Sequence, residues 1–291
     1  MTDDELAYYA TPGPMTTLDP KSDAFQQLPE DPLALGPVVQ GLILHEFWAA
    51  QYGIEIPPTR ADEVETRAAS AMVELIRRLD PAPLSRSRPP DRRMIGNCRH
   101  FSTLTCALLR RSGIPARARC GFATYFESDR YIDHWVVEHW EPTLARWRRV
   151  DNQLDDVQRE ALGLDFDTTD LPAGSFLDAA EAWQLCRSGG ADPERFGILD
   201  FWGIWFVRNN VVRDLAALNK MELLPWDGWG LMTLAEEHAT EPASGLIDKV
   251  ADAIVADAWL ECRGLYEEHD LLRVPEDVVS YRAGKTVALR A

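Results

Sequence analysis

Between residues 96 and 151 the hydrophobic positions fall into one helical stretch and then three alternating ones. Phe101, Leu104 and Leu108 recur at helical spacing over residues 99–111, after the chain-breaking Pro89, Pro90, Gly96 and Asn97. Ser112-Gly113-Ile114-Pro115 then ends the helix, because glycine accepts a left-handed cap and proline cannot continue. Residues 116–125 alternate, with Ala118, Cys120, Phe122 and Thr124 on one face and Arg117, Arg119 and Gly121 on the other, which predicts a strand. A second strand covers 131–140, with His134, Val136, Glu138 and Trp140 on a common side. A third covers 146–151, with Trp147, Arg149 and Asp151 together. The expected arrangement is α+β, a helix packed on a small antiparallel sheet.

The flanks read as mostly helical. Residues 1–36, rich in proline, predict an irregular arm. Residues 38–52 predict a helix stopped by Gly53, and 61–79 a second with Val64, Ala68, Met72, Leu75 and Ile76 as its buried stripe. The run 81–90 is a proline-rich connector, and the arginines of 86–93 read as a solvated loop. Downstream, short helices are expected at 154–162 and up to about 187, a buried apolar helix at 198–218, another at 243–265, and a closing strand in 274–289. Arg208, Asn209, Asn210, Arg213 and Asp214 interrupt the apolar helix, so it is no membrane span and its polar groups need partners. The organisation expected is one domain over 1–291, with a core at 90–155 and helical elaborations at 37–80 and 154–265.

Composition narrows the functional classes. With 46% hydrophobic residues the chain fills a sizeable core, while a formal charge of −17 and a pI near 4.8 argue against nucleic acid or an anionic membrane as partner. Five cysteines, an odd number without a CxxC pair, suggest neither a disulfide framework nor a zinc site. With no apolar leader and no long apolar run, a cytoplasmic address is expected. His45-Glu46 opens an HExxH only in appearance, since Ala49 stands where the second histidine belongs. Asp165, Asp167 and Asp170 lack the glycine and closing glutamate of a calcium loop.

The chemistry offered is a thiol, an imidazole and a carboxylate in chain order: Cys98, His134, Asp151. Cys98 falls at the predicted helix start, where backbone N–H groups and the positive end of the dipole favour a thiolate and can hold an oxyanion. A thiol attacking a carbonyl needs a base, and the base needs an acceptor that fixes its tautomer. Taken singly, each residue has an ordinary structural reading. Their order, together with the motifs around them, carries the inference.

Those motifs are Gly96-Asn97-Cys98, the run from Leu108 through Gly113-Ile114-Pro115-Ala116-Arg117, Asp133-His134-Trp135-Val136, and Trp147-Arg148-Arg149-Val150-Asp151. The stretch resembles the core of the transglutaminase-like superfamily of cysteine enzymes, with its papain-like fold. The resemblance implies that Cys98 is the nucleophile, His134 the base and Asp151 the residue that orients it. Asn97 is a candidate oxyanion contact and Trp135 a candidate substrate contact. Trp226 and Asp227, in Pro225-Trp226-Asp227-Gly228-Trp229-Gly230, are further candidates as an aromatic wall with an anionic floor. The function expected is cysteine-dependent acyl transfer on an amide, ester or thioester of a small molecule or peptide, as hydrolase or amide-forming acyltransferase, without metal or organic cofactor. The alternative is a transglutaminase-like binding module that has lost catalysis. A zinc enzyme using His100, His134 and His139 is disfavoured, because an odd separation puts His134 and His139 on opposite faces of one strand.

Overall fold

The computed structural model describes residues 2–233 and 241–289, with backbone only for 241–243. Packing divides the chain into two compact units, 1–118 with 136–172 and 119–135 with 173–291. Two of the three boundaries fall within strands.

The first unit begins with helix α1 (Asp3–Tyr9), where an irregular arm was expected. Thr2 caps it, its hydroxyl oxygen accepting from the Glu5 N–H at 3.2 Å, and three carboxylates occupy the positive first turn. Tyr9 is buried edge-on to Trp147, with ring centroids 5.6 Å apart, so the start of the chain is tied down by packing. The helix expected over 38–52 is instead three pieces: α2 (Leu35–Gln40), strand β1 (Ile43–His45) and a 3-10 turn (Glu46–Tyr52). Its stop at Gly53 is left-handed, with φ 70°. The break at Gly41 releases the chain to pair in parallel with β2 (Met94–Gly96), a partner about fifty residues onward that local periodicity cannot reveal. Likewise the second expected helix starts later, α3 being Ala69–Leu79 behind a 3-10 stretch over Pro58–Glu65.

Strand β2 (Met94–Gly96) leads into α4 (Cys98–Arg111), which ends at Ser112 and the left-handed Gly113. Then come β3 (Ala116–Ala123), β4 (Tyr131–Glu141), β5 (Arg146–Val150) and α5 (Asp156–Leu162). β5 runs antiparallel to β4, from Val137 opposite Val150 to Glu141 opposite Arg146. The arginines of β3 lie in the interior. Arg117 is buried, its Nε donating to Glu138 at 2.7 Å while its guanidinium lies 4.3 Å from the Trp147 ring centroid. The connector before β2 is also less solvated than expected. Arg88 is buried and donates to the carbonyls of Asp80, Ala82, Pro83 and Arg86, holding the proline-rich turn from inside.

In the second unit β6 (Phe176–Asp178) pairs antiparallel with β3 and leads into α6 (Ala179–Arg187). Asp178 and Glu181 form a reciprocal capping box, with both bonds at 2.9 Å. The apolar segment from 198 is shorter as a helix than expected. β7 (Phe196–Ile198) and β8 (Phe201–Trp202) make a hairpin first, and α7 (Ile204–Leu218) starts after Gly203 at φ 108°. Next come β9 (Asp227–Gly228), α8 (Glu241–Val255), α9 (Trp259–Glu268), β10 (Asp277–Ser280) and β11 (Lys285–Ala288). The helix expected at 243–265 is thus two, parted where Asp257 turns at φ 50°, and the closing strand is a hairpin.

The larger sheet has the order β6-β3-β4-β7-β8 with β5 also on β4, and β7 meets β4 in parallel. A smaller sheet has the order β11-β10-β9. The fold is α+β, as the hydrophobic pattern predicted.

Candidate functional site

Cys98 is the first residue of α4, so its first-turn N–H groups have no carbonyl four residues back within the helix. The approach to it is tight. A Cβ on Gly96 would come 2.9 Å from Ile43 Cγ2 and 3.1 Å from His100 Cβ, so glycine is what lets β2 run straight into the helix start. Asn97 is the N-cap residue, and His100 engages it twice. The Asn97 N–H donates to His100 Nδ1 at 3.1 Å, and the same nitrogen lies 2.9 Å from Asn97 Oδ1. Burial, with the Arg99 cation next in weight, pushes the His100 pKa well below the usual imidazole value, so it sits in the cap as a neutral ring. The Cys98 carbonyl accepts from the Ser102 hydroxyl at 3.2 Å, and Cys98 is 7% exposed.

Asp151 follows β5 in the same unit and is buried. Its N–H donates to the Thr168 carbonyl at 2.8 Å, and Oδ1 accepts from the Gln153 N–H at 3.0 Å. Gln153 donates in turn to Gln158 Oε1 at 3.0 Å, and Gln158 to the Tyr52 hydroxyl at 3.2 Å, which donates to Asp155 at 2.7 Å. Burial, then the Asp155 carboxylate, pushes the Tyr52 phenol far up, so this chain of bonds stays protonated at its tyrosine. Gln153 and Thr168 were not anticipated as supports. Only the adjacency of Gln153 to Asp151 hinted at the first.

His134 belongs to the second unit and lies buried on β4. Two rings from the turn after β3 touch it edge-on: Phe126 with centroids 4.9 Å away and Tyr125 at 6.0 Å. Neither was singled out in the sequence, although they stand together just before the polar turn Glu127-Ser128-Asp129. On either side along β4, Asp133 and Trp135 are buried as well. Asp133 accepts from Asn210 at 2.7 Å, and Arg213 donates to Asn210 Oδ1 at 2.9 Å. Burial raises the Asp133 pKa, and Arg213 and the Asn210 bond pull it partway back. The polar residues of α7 thus find protein partners, one of the two fates open to them.

Asp227 lies in the second unit's smaller sheet, where it pairs with Ser280, and Trp226 stands in the turn just before that strand. The Asp227 carboxylate accepts from the Leu224 N–H at 3.0 Å and is fully buried, and Arg282 stacks 4.9 Å from the Trp226 ring centroid. His139 is buried on β4, five residues from His134. Among the described residues no group of three or more His, Cys, Asp or Glu side chains is gathered to hold a metal ion, and no helix is long and apolar enough to cross a membrane.

Residues 59–152 match the family model of the transglutaminase-like superfamily, a span that contains Cys98, His134 and Asp151. Over this stretch the chain is similar to that superfamily. Among solved structures, "a Putative Cysteine Protease from Cytophaga hutchinsonii" aligns at 17% identity over 62% of this chain and 50% of its own, with a TM-score of 0.36. Red sea bream transglutaminase aligns at 17% identity over 48% of this chain and 27% of its own, with a TM-score of 0.30. The chain therefore spans half or less of the length of either. Among curated proteins none matches.

Proposed function

We propose that the chain is a cysteine-dependent acyl-transfer enzyme acting on an amide, ester or thioester of a small molecule or peptide, with Cys98, His134 and Asp151 as its triad. The observation that carries this reading is the family match over 59–152, which includes all three residues, with Cys98 at the first position of α4. His134 takes the thiol proton as Sγ bonds to the carbonyl carbon. The carbonyl π pair moves onto oxygen, where the Cys98 backbone N–H is the main donor and Asn97 a weaker one. When that pair returns, the bond to the leaving group breaks and His134 hands it the proton, leaving an acyl-cysteine. Attack by water or an amine, with its proton passing to His134 and then to Sγ, releases acid or amide. Asp151 orients the imidazole throughout. No step is assigned to Trp135, Trp226 or Asp227, and the address proposed is cytoplasmic.

The test is intact-mass spectrometry of acid-quenched protein after exposure to mixed amides and thioesters. A mass gain equal to the acyl group in wild type, absent in Cys98→Ala, is the expected result. A wild type that forms no adduct and turns over none of the panel would leave a binding module as the reading.

A further inference from the structure

We infer that Tyr125 and Phe126 form an aromatic subsite for the leaving group, so that donors with an apolar or aromatic leaving group are preferred. This rests on the acyl-transfer reading, since it takes His134 as the group that protonates the departing atom. A general acid must come within about 3 Å of the atom it protonates. The substituent on that atom therefore extends past the imidazole edge, into whatever lines it. In the second unit the lining is aromatic: the Phe126 ring meets His134 at 4.9 Å and 72°, and the Tyr125 ring at 6.0 Å and 82°. The two rings also touch each other, with centroids 4.8 Å apart. His134 is buried, whereas Tyr125 and Phe126 keep part of their surface open and the next residues, 127–130, are exposed. An apolar wall that is fixed against the base and open on its far side offers area to a flat or apolar group. It offers a carboxylate little, because the ring faces are electron-rich and bring one hydroxyl.

Two thioesters with the same acyl group separate this from mere packing: S-(2-phenylethyl) thioacetate and S-ethyl thioacetate, whose leaving thiols are alike in basicity. Acylation of Cys98 by each is followed by intact mass in wild type, Phe126→Ala and Phe126→Leu. Wild type should react at least about fivefold faster with the phenylethyl ester, the scale of one good aromatic contact. The ratio should fall to near one in Phe126→Ala and lie between in Phe126→Leu. A role confined to holding His134 would slow both esters together and leave the ratio unmoved, which overturns the inference. Equal rates in wild type overturn it too while leaving the acyl-transfer reading intact. No Cys98 adduct from either ester sinks that reading and the subsite with it.

Discussion

Arg119 on β3 and Asp214 on α7 form a buried fork: Nη2 donates to Oδ2 at 2.8 Å and Nε to Oδ1 at 3.1 Å. Asp178, at the end of β6, takes a further contact from Nη2 at 2.8 Å, and the Cys120 N–H donates to Asp214 Oδ1 at 2.7 Å. One carboxylate thus ties helix, strand and backbone together inside the second unit, at 0% exposure. Burial raises its pKa, and the Arg119 cation opposes that rise. Removing Asp214 leaves Arg119 with Asp178 alone and the Cys120 N–H without its acceptor, so Asp214→Ala should cost about 3–5 kcal/mol of stability. Chemical denaturation checks this, and a loss below about 1 kcal/mol would show the fork to be idle.

Acid should destabilise the fold through two buried histidines. His100 and His139 both have pKa values lowered by burial, so in the fold they stay neutral where the unfolded chain, near 6.5, takes up protons. The unfolded state then binds more protons as pH falls. Stability is at its full value above about pH 7 and is lost below about 6.5, by about 1.4 kcal/mol per pH unit for each histidine. His139→Phe should remove one of the two contributions. A melting temperature flat from pH 7.5 to 5.5 would contradict this.

Cysteine reactivity should divide sharply. Burial pushes the Cys186 thiol up to about 11, leaving it almost wholly protonated at neutral pH. Cys98, at a helix start and proposed to pair with His134, should react with iodoacetamide at pH 7 at least about a hundredfold faster than Cys186. His134→Ala should remove most of that advantage without unfolding the protein. Peptide mapping of labelled sites reads both outcomes.

The clamp at Arg88 should matter more than its place in a proline-rich turn suggests. Its guanidinium serves four carbonyls from within, a geometry that an ammonium cannot copy. Arg88→Lys and Arg88→Ala should both lose about 2–4 kcal/mol in denaturant titration. Retention of wild-type stability by the lysine variant would argue that charge alone suffices.

What the sequence disclosed was local. Helix α4 begins and ends where Asn97, Gly113 and Pro115 say it must, and β3 to β5 follow their alternation closely. What it concealed depends on partners far along the chain. Residues 38–52 carry a helical pattern, yet β1 leaves it to pair with β2. Arg117 and Arg119 alternate like solvent-facing residues, but Glu138, Asp178 and Asp214 come from other segments to neutralise them in the interior. The same holds at the site. Cys98 was legible as a helix start, and Gln153 stands close to Asp151 in sequence, whereas the Thr168 carbonyl that also steadies Asp151 arrives on a loop return that no spacing announces.

The borders of the larger sheet bear on how molecules of this protein meet one another. β6 has three residues and β8 two, while β5 presents Arg146, Arg148 and Arg149 among its five. A foreign segment seeking to extend the ladder finds too few free main-chain groups at the first two, and at the third three ion-paired arginines and a carbonyl, that of Arg149, already taken by the Leu171 N–H. Leu199 and, on β8 itself, Phe201 lie open, yet that margin is too brief to template fibril growth.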